Sequence, residues 1–223
     1  MTAVFRALPL AFAELADASA RRALVLSVLG TLAILGVLVV LAGWLLAGIA
    51  WFGIGWLDWL VHALGTLAAL VLAWLVFPGA LAAVTGLWSD AISAAVERRY
   101  YPGLGPARGH AAFDGVSAGL RLVGAALVLN LVLLPLYLLL PGINLVLFYG
   151  ANGYLVARGY FEPAALRRLD PSAMHALFAR RRVTVWLAGV IITFMTTVPI
   201  LNLVVPIVAT ALMTHLLEDL RSR

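Results

Sequence analysis

Cysteine and lysine are both absent from the 223-residue chain. The first absence excludes disulfides, thiolate metal sites and cysteine nucleophiles. The second leaves arginine to supply all 15 cationic side chains, against 10 acidic ones, for a formal net charge of +5. Charge of either sign is scarce: 11% of residues are charged and 64% hydrophobic, where a soluble domain carries about 25% charged and about 45–50% apolar residues. So few charges cannot cover a surface that meets water on every side. Lipid is the expected solvent, and residues 1–223 are expected to form a single membrane-embedded domain. In that setting the basic excess concerns topology and anionic lipid headgroups, and no nucleic-acid partner is expected.

Residues 1–22 contain an apolar stretch from Ala7 to Ala13 that stops at Glu14, while Phe5, Leu8, Phe12 and Leu15 recur at helical spacing. This predicts an amphipathic helix lying in the interface and kept in the mature chain, rather than a signal peptide. From Ala23 to Ala50 no charge occurs, which exceeds the roughly 20 residues needed to cross about 30 Å of hydrocarbon. A second long helix is expected over 60–99: Leu60 to Trp88 holds only His62 as an ionisable group, Pro78 is expected to kink it, and a polar extension follows through Asp90 and Glu97 to Arg99. Between the two, Trp51, Trp56, Asp58 and Trp59 predict an aromatic turn at headgroup level.

The later apolar segments are shorter. Leu122–Leu140 ends at Pro141-Gly142-Ile143-Asn144, and Leu145–Ala157 then runs only as far as Arg158. Val183–Val198 ends at Pro199-Ile200-Leu201-Asn202, and Leu203–Leu217 runs to Glu218 and Asp219. Arms of this length, joined by a proline turn with no room for a loop, predict two helical hairpins, over 116–157 and 183–217, that dip into the membrane and return or cross it tilted. The tips align as Leu140-Pro-Gly-Ile-Asn-Leu-Val146 with Val198-Pro-Ile-Leu-Asn-Leu-Val204, an internal repeat.

Threaded as two spans and two hairpins, the chain places every arginine on one face. The positive-inside rule makes that face cytoplasmic, with both termini inside; six full spans would give the same sidedness. The arginine-rich segment 158–182 falls on this face. Within it Asp170-Pro171 reads as an N-cap and N1 proline, with Met174, Leu177 and Phe178 on one face ahead of Arg180-Arg181-Arg182. Anionic lipid is the partner expected there.

Nothing here resembles an enzyme. His62, His110, His175 and His215 are scattered, no Gly-x-Ser-x-Gly elbow occurs, and Asp90 and Glu97, seven residues apart on one helix face, suit pairing with arginines better than catalysis. No cofactor and no metal are expected. Asn144 and Asn202 stand where an asparagine caps the first amides of a returning helix. Helix starts at depth also offer free amides to an anion, with Tyr137, Tyr149, Asn152 and Thr196 as candidates to line the path. Gly150 with Gly153 predicts a close helix contact. Arg21 and Arg22, just before the first span, offer forked donors for a tetrahedral oxyanion, or serve only as topology anchors.

The run Leu140-Pro-Gly-Ile-Asn-Leu through Tyr154-Leu-Val-Ala-Arg-Gly-Tyr-Phe-Glu162, the Asp170-Pro-Ser-Ala-Met174 helix, Val198-Pro-Ile-Leu-Asn-Leu-Val-Val-Pro206 and the Val96-Glu97 pair together resemble the CysZ-type sulfate permeases, or etoposide-induced 2.4 domain family. The resemblance implies an inner-membrane protein with two long transmembrane helices and hemi-penetrating hairpins, assembled as a homo-oligomer and tied to sulfate uptake for cysteine synthesis. The family's Gly-Leu-Arg-Arg sulfate-binding stretch falls on Ser19-Ala20-Arg21-Arg22, where the arginines match and the first two residues differ. The family's proline and asparagine inside the first long helix are replaced near Ser27 and Thr31, and Leu87 stands in place of a proline before Asp90. The expected protein is therefore all-α and integral to the bacterial inner membrane, binding or moving sulfate or a similar oxyanion through Arg21, Arg22, Asn144 and Asn202. The alternative is a non-transporting membrane scaffold or assembly factor with an arginine-rich cytoplasmic interaction surface.

Overall fold

The computed structural model describes residues 2–47, 53–86, 88–108 and 141–222, together with 124–125, 128–129, 131–133, 135–136 and 139. The described residues contain helices and no strand. Eight α-helices are delimited: α1 Thr2–Ala13, α2 Ala18–Ala47, α3 Gly55–Gly86, α4 Ser89–Tyr100, α5 Asn144–Leu166, α6 Pro171–Arg180, α7 Arg182–Thr196 and α8 Pro199–Arg221. They belong to two compact units, one formed by Arg22–Trp88 and the other by Met1–Arg21 with Ser89–Arg223.

The unit Arg22–Trp88 is a helix pair. A Cβ on Gly30 of α2 would lie 3.8 Å from Val84 near the end of α3, so the two helices touch there. Val25, Leu29, Val37, Leu38, Leu64 and Leu67 are all about half exposed, so both helices present apolar side chains outward among the described residues. That is the pattern of helices whose solvent is hydrocarbon. The polar groups inside α2 turn back on their own helix: the Thr31 hydroxyl donates to the Ser27 carbonyl at 2.7 Å. Two details differ from expectation. Of the expected aromatic turn, Trp51 lies outside the described residues, while Trp56, Asp58 and Trp59 already belong to α3, which starts two residues after Gly53 with its φ of +67°. Asp58 in that first turn suits the positive end of the helix dipole. The long second helix is also broken, with α3 ending at Gly86 and α4 starting at Ser89. Gly86 is a poor helix continuer, and α4, carrying Asp90, Glu97, Arg98 and Arg99, belongs to the other unit.

In the larger unit α8 is the core helix. It packs against α1, α4, α5 and α7, and Ile207, Leu212, Met213, Leu216 and Leu217 are almost wholly buried. Its 23 residues start at Pro199 and continue past Glu218 and Asp219 to Arg221, about 34 Å of helix at 1.5 Å per residue. The arm was expected to stop at Glu218. It continues because Glu218 bonds Arg221 at 2.7 Å and Asp219 faces Arg6 at 3.7 Å, so neither acid ends the helix. Among the described residues, α2 over Ala18–Trp44 and α8 are long and apolar enough to cross a membrane.

The face of α1 is also not the expected one. Ala3, Val4, Ala7 and Ala11 are buried and α1 lies on α8, while Phe5 points outward at 66% exposure. Small side chains let the two backbones approach, and the larger Leu8, Phe12 and Leu15 pack only at the margin. α5 likewise outruns its apolar stretch, ending at Leu166 rather than near Arg158, because Arg158 pairs with Glu162 one turn on.

α6 starts as expected. Asp170 is its N-cap, accepting from the Ala173 amide at 2.8 Å and the Ser172 hydroxyl at 2.6 Å, with Pro171 at the first helical position.

Candidate functional site

Arg21 and Arg22 are the fourth and fifth residues of α2, and both are exposed. Expected just before the helix, they lie inside it, because Asp17 starts the helix earlier. The Asp17 carbonyl accepts from the Arg21 amide at 3.0 Å, and the Asp17 carboxylate accepts from both the amide (2.8 Å) and the hydroxyl of Ser19. The Ser19 hydroxyl is the larger cause, and the Ser19 amide the next, of an Asp17 pKa below its ordinary carboxylate value. The consequence is chemical. The start of α2 already holds an anion of the chain's own, and the Ser19 amide is engaged by it.

Asn144 and Asn202 do not cap. Asn144 is the first residue of α5, after a 3-10 turn over Pro141–Ile143, and the N-cap position is Ile143 with no side-chain bond. Asn202 lies one turn inside α8, where its amide donates to the Val198 carbonyl at 2.8 Å. The reason is Pro199, which takes the first helical position at no cost in hydrogen bonds and moves the helix start three residues upstream of the asparagine. The aligned Pro141 begins a 3-10 turn instead of an α-turn, so the repeat is retained in position but not in local geometry. Neither helix start is closed by a side-chain cap, and both asparagines are half-buried.

Of the path candidates, Tyr137 lies outside the described residues. Tyr149 reaches the second hairpin tip, its hydroxyl bonding Thr197 Oγ1 at 3.2 Å. Thr197 was missed; its hydroxyl also bonds the Phe194 carbonyl at 2.7 Å and closes the end of α7. Asn152 and Thr196 bond back to their own helices, at Phe148 and Thr193.

The predicted close contact between helices is present at Gly153, and its partner is Gly189 on α7. A Cβ on Gly153 would lie 2.6 Å from Val190, and one on Gly189 would lie 2.0 Å from the Gly153 carbonyl. Gly150 is looser, 3.9 Å from the Trp186 ring, whose Nε1 donates to the Gly150 carbonyl at 2.9 Å.

Asp90 and Glu97 do pair with arginines, and these come from the end of α5. Arg167 bonds Asp90 at 2.8 Å and Glu97 at 3.1 Å, while Arg168 holds both oxygens of Glu97, at 3.0 and 2.6 Å. Glu97 and Arg167 are buried. Burial acts to raise the Glu97 pKa, but the hydrogen bonds from Arg168 and Arg167 outweigh it and hold the carboxyl below its ordinary value. A second buried acid escaped notice in the sequence: Glu14, 1% exposed, faces Arg99 at 3.6 Å. No cluster of three or more histidine, aspartate or glutamate residues suited to a metal occurs among the described residues.

Comparison with known proteins gives the chain a family. The chain matches the family described as Sulfate transporter CysZ/Etoposide-induced protein 2.4 over residues 7–206. It belongs to that family. Neither a curated protein nor a solved structure matches it. The match begins within α1 and ends in the first turns of α8, and so includes Pro141–Asn144, Pro199–Asn202 and the arginine pair.

Proposed function

We propose that this chain is a permease for a small tetrahedral oxyanion, sulfate, in the bacterial inner membrane, where it supplies sulfate for cysteine synthesis as a homo-oligomer with both termini cytoplasmic. Membership of a sulfate transporter family carries the reading. The exposed pair Arg21 and Arg22 supports it, since planar guanidinium forks match a tetrahedral oxyanion and Asp17 already takes the helix start. Asn144, the first residue of α5, and Asn202, one turn inside α8, add polar side chains near the two helix starts. Radiolabelled sulfate uptake into proteoliposomes holding the purified chain tests the function directly, and uptake no faster than from empty vesicles would reject it.

The arginine pair has its own test. Replacing both with lysine keeps the charge and loses the forks, so the sulfate dissociation constant measured by calorimetry should rise about tenfold for each charged hydrogen bond lost. Were the pair only a topology anchor, lysine would serve equally and the constant would stay the same.

The arginines that flank the apolar segments support cytoplasmic termini under the positive-inside rule. A reporter fused after Arg223 should be cytoplasmic; alkaline phosphatase activity from that fusion would overturn the orientation.

A further inference from the structure

The larger unit holds a cavity of about 350 Å³ beside α6 and the end of α8. Leu169, Ala173, Leu177 and Leu220 form its apolar wall, and Arg180, Arg181 and Arg221 form the other side. The acids nearby are already engaged. Glu218 is held by Arg221 at 2.7 Å, Asp219 faces Arg6, and Asp170 caps α6. Arg180 and Arg181 pair with no carboxylate among the described residues. Three exposed arginines thus line one space against a single paired acid, in a chain where charge is scarce.

The helix dipole accounts for one cation at the end of α6, but not for three around a leucine-walled cavity. Like charges that line one space repel, and an anion among them offsets the repulsion. A free inorganic anion would leave the leucine wall without a role, and an apolar ligand would leave the arginines without one. An anionic phospholipid uses both: its phosphate accepts from Arg180 and Arg181, and its glycerol and first methylenes lie on Leu169, Leu177 and Leu220.

We propose that the cavity between α6 and the end of α8 is a binding site for one anionic phospholipid, with Arg180 and Arg181 gripping its phosphate. This proposal is independent of sulfate transport.

The test uses the full chain in detergent with equal amounts of phosphatidylglycerol and phosphatidylcholine, and counts retained lipid by native mass spectrometry. One phosphatidylglycerol should be retained in preference to phosphatidylcholine. Arg180→Gln with Arg181→Gln should weaken that retention about thirtyfold, the loss of two arginine contacts to lipid phosphate. Arg98→Gln with Arg182→Gln removes equal charge from exposed positions outside the cavity and should leave the retained lipid in place. Ala173→Phe fills the cavity without changing charge and should expel it; if that variant fails to fold, the two double variants decide alone. Equal loss in both double variants would show diffuse attraction and overturn the site, as would full retention in a folded Ala173→Phe. Displacement of the lipid by inorganic phosphate at matched concentration would identify a free-anion site and reject the lipid.

Discussion

Glu97→Gln should lower the thermal midpoint of the purified protein by about 6–12 °C, from a loss of about 3 kcal/mol. Glu97 is buried and joins two arginines, and Arg167 is itself buried with its Nε lacking any partner among the described residues. Removing one member of a buried ion pair strands the other charge, which costs about 3–5 kcal/mol. The lower end applies because Asp90 still holds Arg167 at 2.8 Å. If the cost is the stranded charge and not the lost attraction, Glu97→Leu with Arg167→Met should recover part of it. An unchanged midpoint in Glu97→Gln would mean that the cluster adds nothing to the fold. The same residue predicts an acid limit. Its folded pKa lies below the ordinary 4.5, so its stabilisation is complete above that value and is lost as pH falls through the folded pKa. A melt series from pH 7 to pH 3 should show the wild type losing stability in that acid range and Glu97→Gln losing less.

Hydropathy made the membrane class, the first long helix and the helix starts after Pro141 and at Pro199 legible, because a run of apolar residues in lipid has one low-energy conformation, the helix. Helix ends were less legible. Runs of apolar residues were taken to stop at charges, yet α5 passes Arg158 and α8 passes Glu218, since each charge finds a partner one turn away. The partner of Glu97 lies 71 residues downstream in Arg168, and no local pattern states such a pairing. α1 misled by side-chain size: its large apolar residues suggested the buried face, while close approach to α8 selected the alanines. Of the candidate site, the arginine pair was visible as a pair, but the role of Asp17 depends on where α2 begins, and a two-residue shift in that start decides whether the helix amides are free. The lipid cavity was invisible because Leu220 and Arg221 meet α6 only through the packing of α8.

The crossing of α5 and α7 at Gly153 and Gly189 carries the second large effect. Gly189→Val should destabilise the larger unit by more than the roughly 1–3 kcal/mol typical of an overpacked core, because the space it would enter is already filled by backbone. Even one Cβ at position 189 would lie 2.0 Å from the Gly153 carbonyl oxygen, 2.5 Å from Ala157 Cβ and 2.7 Å from the Ala157 amide nitrogen. A flexible side chain could turn aside from such a clash; a peptide group inside α5 cannot, so the helices must part. Separating them removes the dispersion contacts that hold helices together in lipid, where no hydrophobic effect replaces them. It also pulls Tyr149 away from Thr197 at the hairpin tip, so sulfate uptake should fall along with the midpoint. Gly150→Ala on the same helix is the control. Its Cβ meets only the Trp186 ring, at an ordinary 3.9 Å, and the exchange removes a glycine from a helix interior, worth about 0.5–1 kcal/mol in its favour. A midpoint that drops for Gly189→Val and holds for Gly150→Ala would locate the effect at the Gly153 and Gly189 crossing. Equal midpoints in the two variants would show that α5 and α7 do not depend on that approach.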